Sequence, residues 1–283
     1  MAAPDLETEY SPRITVPDHA EIFARWARAA ENYRADMLKT GKAELGLFYG
    51  DTPRQFIDLF LPAAGDTAPL VMFIHGGYWR AMDPSFHSHM ARGLNERGFA
   101  VAVAGYDLCP VVTIADIVEQ MRRACVFLWQ RFNRRLVVTG HSAGGQLTAA
   151  MVATEWQKLW PKVPSDLVPA GYAISGVFDL TPLVQTTMNQ DFRLDAAEAR
   201  GLSPIFWTVP PGRSLDAGVG DLESAEFKRQ SRAMAAAWEK ANAQTRYAEW
   251  PGNHFTVIDA LADPNNAMVA RIAELGSKLG SSR

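Results

Sequence analysis

An α/β fold with a mostly parallel central sheet flanked by helices is predicted by two features of this 283-residue chain. Short apolar runs recur at 69–74, 99–106, 136–139 and 169–176, bounded by glycine and proline and separated by stretches of helical composition. Strands alternating with helices at that spacing imply βαβ units and therefore parallel pairing. In the second feature, the run LVVT at Leu136–Thr139 leads directly into Gly140-His141-Ser142-Ala143-Gly144 and then into a helix. That order of strand, tight turn and helix is the nucleophile elbow of the α/β-hydrolase fold.

The elements follow in order. Residues 17–38 place Ile22, Phe23, Trp26, Ala29, Ala30 and Tyr33 at helical spacing, so an amphipathic N-terminal helix is expected to pack on the main body. Leu45–Gly50 and Gln55–Leu61 alternate around the turn Asp51-Thr52-Pro53, which predicts a hairpin at the sheet edge. Pro69–Ile74 is continuously apolar, as a strand buried on both faces should be. A helix is expected from Pro84 to Gly98, a strand at Phe99–Tyr106 and a helix at Thr113–Phe132. After the elbow, Trp156–Val168 reads as a loop and Pro169–Gly176 as a strand.

Residues 177–212 break the rhythm with several prolines and aromatics, and are read as an inserted cap over the strand ends. Ser214–Gly220, Ser224–Asn242, Thr245–Trp250 and Pro264–Leu279 then complete the chain as strand, helix, strand and closing helix. Without an internal repeat or linker, residues 1–283 are expected to form a single domain.

Composition excludes several classes. A net charge of −3 argues against nucleic acid as a partner, and the basic stretch RFNRR at 131–135 suits a helix C-terminus favoured by the helix dipole. Two cysteines, Cys109 and Cys125, offer neither a disulfide framework nor metal-ligand spacing. The polar start MAAPDLETEYSPR lacks the apolar core of a signal peptide, and no stretch is long enough to span a bilayer. A cytoplasmic location, no membrane partner and a small-molecule substrate are the expectations. A homodimer is compatible with the sequence.

A serine hydroxyl needs a base, and the base needs an acid that fixes its tautomer. Ser142 is the candidate nucleophile. His254, in the loop after the strand ending at Trp250, is the only one of six histidines downstream of the elbow and is the candidate base. The loop after Gly220 offers Asp221, Glu223 and Glu226. Glu223 lies three residues past the strand and is favoured as the acid, with Asp221 the alternative; Glu226 falls in a helix's first turn, where a carboxylate simply complements the dipole. The oxyanion hole is expected from the N–H of Ala143 and from Gly77 and Tyr78, with Gly76 letting the chain approach the substrate. Tyr78, Trp79, Gly76 and Phe178 are the candidate substrate contacts. His75 is read as a brace for its loop, Asp107 and Asp179 as structural, and His87 and His89 as too close along a helix to share a metal.

In order, HGGYW (75–79), YDLCP (106–110), GHSAGG (140–145), SGVFDL (175–180), ESAEFKRQS (223–231) and GNHF (252–255) resemble the arylformamidases, the kynurenine formamidases of the α/β-hydrolase fold, and their bacterial esterase relatives. The likeness runs from the Tyr10 region to the closing helix. It implies a nucleophile at Ser142, a base at His254, an acid at Glu223 and hydrolysis of N-formyl arylamines such as N-formylkynurenine to arylamine and formate. Animal members generally carry aspartate where Glu223 stands, which keeps Asp221 in play. The metal-dependent class of formamidase has a histidine-rich motif absent here, so neither metal nor cofactor is implied. A carboxylesterase or amidase acting on short-acyl esters or anilides would use the same residues. A non-catalytic ligand-binding protein of this fold would be expected to have lost the serine or the histidine.

Overall fold

The computed structural model describes residues 5–280. Eight strands form one sheet: β1 (Ala43–Phe48), β2 (Phe56–Phe60), β3 (Leu70–Ile74), β4 (Ala100–Ala104), β5 (Leu136–His141), β6 (Ala170–Ile174), β7 (Ser214–Gly220) and β8 (Gln244–Trp250). Their order is β1-β2-β4-β3-β5-β6-β7-β8. Strand β2 runs antiparallel to both β1 and β4, and every other pair is parallel. The hairpin thus caps one edge, as its alternation and turn residues predict.

Strand β3 shows why the sheet is buried on both faces. Leu70, Met72 and Ile74 join one apolar cluster, while Val71 and Phe73 join another on the opposite face. Successive side chains of a strand point to opposite faces, so a continuously apolar run feeds two cores at once. The first core takes in helices α2 (Ile114–Phe132), α3 (Ala143–Ala153) and α4 (Ala225–Lys240); the second takes in α1 (His19–Lys39) and α5 (Ala267–Gly280). Helix α1 buries Ile22, Trp26, Ala30 and Tyr33, and the Trp26 indole donates to Asp259 at 2.7 Å. A buried indole N–H needs such a partner.

Two stretches depart from expectation. Residues 84–98 are not one helix but two 3-10 turns, Pro84–Phe86 and Ser88–Ala91, and a short helix, Arg92–Glu96. The stretch docks closely on its neighbours: a Cβ on Gly93 would lie 2.5 Å from the Leu261 carbonyl, and the Arg34 guanidinium reaches Ser88 Oγ at 3.4 Å. Trp156–Leu159, expected as loop, makes a single helical turn around the buried Trp156. Residues 177–212 fold as short turns and helices, including Asn189–Phe192 and Ala196–Gly201. Among the described residues no helix is long and apolar enough to cross a membrane.

The strand order reverses beside β3: the chain steps from β3 to β4 on one side, then back across to β5 on the other. Loops leaving β3 and β5 part at such a switch point and leave a crevice above the strand ends.

Candidate active site

That crevice is a cavity of about 400 Å³. Ser142 and His254 both line it, together with Gly76, Gly77 and Tyr78. Ser142 sits between β5 and α3 with φ 56° and ψ −118°, a backbone conformation that non-glycine residues rarely adopt. The turn is held from below, where the Ser142 N–H donates to the Ile174 carbonyl at 2.8 Å. Small neighbours make the geometry feasible. A Cβ on Gly144 would lie 2.0 Å from the Ile74 carbonyl oxygen, so α3 could not leave this close to β3 with any larger residue there.

His254 Nδ1 lies 2.6 Å from Glu223 Oε2, and both side chains are buried. The second carboxylate oxygen accepts from the Ser175 hydroxyl and from the Gly220 N–H at 2.6 Å. With both oxygens engaged, the carboxylate cannot rotate. Its contact keeps the imidazole proton on Nδ1 and leaves Nε2 as the acceptor. The ring is packed by Phe227, centroids 4.3 Å apart, and by His141 at 4.7 Å. His141 Nε2 in turn contacts the His254 carbonyl at 2.7 Å, and burial holds His141 well below the usual histidine range, so it braces the loop as a neutral ring. Asp221, the alternative acid, is exposed and turned away. It accepts from the Gly252 N–H at 2.9 Å and does not reach His254.

Above Ser142, Gly77, Tyr78 and Trp79 have φ values of 103°, 50° and 53°. Consecutive residues in this region turn backbone N–H groups toward one side and form a concave donor site. The strain is held by side chains: the Tyr78 hydroxyl donates to the Tyr10 carbonyl, and the Trp79 indole donates to Gln146 at 3.3 Å. Ala143 opens α3, where an N–H has no intrahelical acceptor. Gly77 and Tyr78 line the cavity with Ser142, and Ala143 follows Ser142 directly, which keeps all three expected oxyanion donors beside the serine. His75 is fully buried, its pKa driven down to about 3 by desolvation, and it stacks on Tyr106 at 4.3 Å.

Trp79 and Phe178 do not line the cavity. Both are fully buried. Trp79 meets Phe192 edge-on at 5.6 Å in the core, while the Phe178 ring closes over Gly176. The walls come instead from residues that the sequence reading passed over: Ser11, Pro12, Arg13, Phe23 and Trp26 from the N-terminal segment, and Met188 and Asp191 from the 177–212 stretch. Ser175, with φ 52° at the end of β6, is also new to the site as the second anchor of Glu223. Its sequence signals are its place directly after an apolar run and at the head of SGVFDL. Asp107 accepts from Thr52, Gln55 and Gln120, and Asp179 from Thr181; neither lines the cavity.

The chain is similar to known proteins over most of its length. A family model described as BD-FAE matches residues 57–193. A kynurenine formamidase of Danio rerio is 25% identical over 98% of this chain and 98% of its own length. That of Drosophila melanogaster is 30% identical over 91% of this chain and 92% of its own. The chain belongs to the kynurenine formamidase family. It is a hydrolase of the α/β-hydrolase type. Among solved structures, a putative thioesterase from Silicibacter sp. is 35% identical with a TM-score of 0.86, covering 96% of this chain and 100% of that one. Esterase B from Lactobacillus rhamnosis, 20% identical with a TM-score of 0.65 over 93% of this chain and 95% of its own, shares the fold.

Proposed function

We propose that this formamidase-family hydrolase cleaves N-formyl arylamines, N-formylkynurenine foremost, to the free arylamine and formate. The observation that carries the reading is a near full-length kinship with kynurenine formamidases in a chain whose Ser142 and His254 share one cavity, with Glu223 behind the histidine. Ser142 attacks the formyl carbon as His254 Nε2 takes its proton, and the oxyanion rests on the amides of Ala143, Gly77 and Tyr78. His254 then protonates the departing aniline nitrogen, the C–N bond breaks, and a formyl ester remains on Ser142. Water, deprotonated by the same histidine, releases formate and restores the serine. Glu223 holds the imidazole in the productive tautomer and stabilises the imidazolium. A cytoplasmic location goes with this reading, in keeping with two free, buried cysteines.

The kinship to a putative thioesterase favours a second reading, an esterase for short-acyl or aryl esters with the same chemistry. Turnover of N-formylkynurenine against p-nitrophenyl acetate separates them. A preference for the formamide supports the first reading, and turnover of the ester alone supports the second.

A further inference from the structure

The cavity rim carries three charged side chains that the reaction above does not use. Arg13, Arg80 and Asp191 all line it. Arg80 pairs with Asp191 at 2.6 Å, with about a third of each side chain open to solvent, 39% and 34%. Arg13 differs. Its guanidinium carbon lies 5.7 Å from the Phe23 ring centroid, and among the described residues no carboxylate comes within ion-pair distance of it. Two cations against one anion leave an uncompensated positive charge at the mouth of a pocket otherwise walled by Phe23, Trp26, Met188 and Phe255.

The segment that carries Arg13 is held in place, while the Arg13 side chain itself is exposed. Arg13 sits on the turn Pro12–Thr15, just after a segment pinned to the catalytic loops. Ser224 Oγ donates to the Glu9 carbonyl at 2.8 Å, the Glu226 N–H donates to Glu9 Oε2 at 3.0 Å, and the Tyr10 hydroxyl donates to Glu226 at 2.5 Å. An exposed guanidinium fork, carried to a pocket mouth by a pinned segment and with no carboxylate within ion-pair distance among the described residues, is open to receive one from a ligand.

Resting on the formamidase reading, we infer that Arg13 binds the carboxylate of an amino-acid arm on the substrate, and that Asp191, already shared with Arg80, accepts that arm's ammonium. The charged tail of the N-formyl arylamine is then read by this pair at the rim while the formyl group lies at Ser142. Such a contact is present equally in the bound substrate and in the transition state, so it acts on KM rather than on kcat.

The test compares N-formylkynurenine with N-formylaniline, which lacks both charges, in the wild type, Arg13→Gln, Arg13→Lys and Asp191→Asn. Arg13→Gln is expected to lower the ratio of kcat/KM for the two substrates about tenfold or more, through KM. Arg13→Lys should restore part of that loss by supplying a point charge, and Asp191→Asn should lower the ratio severalfold. A ratio within twofold of wild type in both Arg13→Gln and Asp191→Asn, with both formamides still cleaved, overturns this inference alone. A wild type that cleaves neither formamide overturns the formamidase reading and this inference with it.

Discussion

Replacing Glu223 by glutamine tests the acid through hydrogen-bond arithmetic. Glu223 Oε1 accepts from two donors, the Ser175 hydroxyl and the Gly220 N–H, while Oε2 faces His254 Nδ1. A glutamine must keep its carbonyl oxygen toward the two donors, because turning its NH2 toward them would lose two hydrogen bonds at a buried site, at about 1–3 kcal/mol each. Its NH2 therefore faces Nδ1. That contact is satisfied only when Nδ1 is unprotonated, which moves the ring proton to Nε2 and removes the lone pair that should accept the serine proton. The same tautomer inversion in serine proteases lowers kcat about ten-thousandfold, which corresponds to about 5.4 kcal/mol of barrier at 1.36 kcal/mol per decade. We expect a loss of three to four orders of magnitude in kcat on p-nitrophenyl acetate, with the near-ultraviolet circular dichroism unchanged. Asp221→Asn, altering an exposed side chain that accepts only from the Gly252 N–H, should stay within about threefold of wild type. Retention of more than a tenth of the activity by Glu223→Gln, with collapse of Asp221→Asn, would refute the reasoning.

Further outcomes follow from the same geometry. Tyr78→Phe removes the hydroxyl that ties the strained loop to the Tyr10 carbonyl, and should lower kcat about tenfold with little change in KM; equal losses in both would contradict a positioning role. Ser231→Ala deletes a buried hydroxyl that has no partner among the described residues, and should stabilise by about 1 kcal/mol, seen as a rise of a few degrees in Tm by calorimetry. Stability should also fall on mild acidification. Burial drives His75 down to about 3, and His87 and His89 to about 4, against 6.5 for the ordinary ring. Between those values the unfolded chain binds protons that the native state refuses, so this contribution is whole above about pH 6.5 and is lost as pH falls toward 4. At roughly 2 kcal/mol for each histidine between pH 7 and pH 5, the urea midpoint should drop clearly over that interval; a constant midpoint would mean that these rings are not buried neutral.

What the chain discloses in advance follows physical range. The elbow is legible because its requirements are local: a β-branched strand, a strained serine and small residues on either side that let the helix leave. The central strands are legible because burial on both faces demands continuous apolar residues, as at Leu70–Ile74. His254 can be read from chain order alone. The acid could be narrowed to one loop with Glu223 favoured over Asp221, while which carboxylate meets His254 depends on how the backbone turns each of them. Trp79 shows the limit of adjacency: it follows a cavity residue directly, yet its ring is fully buried in the core. The N-terminal wall of the cavity is legible only as an amphipathic helix that packs on the body, with nothing local to say that Phe23 and Trp26 meet the cavity. Tyr10 reaches Glu226 and Gln230 across more than two hundred residues, and no periodicity encodes such docking.

The central claim is that Ser142 is the nucleophile, activated through His254 and Glu223. Covalent labelling with a fluorophosphonate, read by intact mass and peptide mapping, tests it most directly. One adduct per chain is expected on the peptide containing Ser142, none in Ser142→Ala, and labelling slowed by orders of magnitude in Glu223→Gln. An active enzyme that stays unlabelled, or that carries the adduct on another residue, would contradict it.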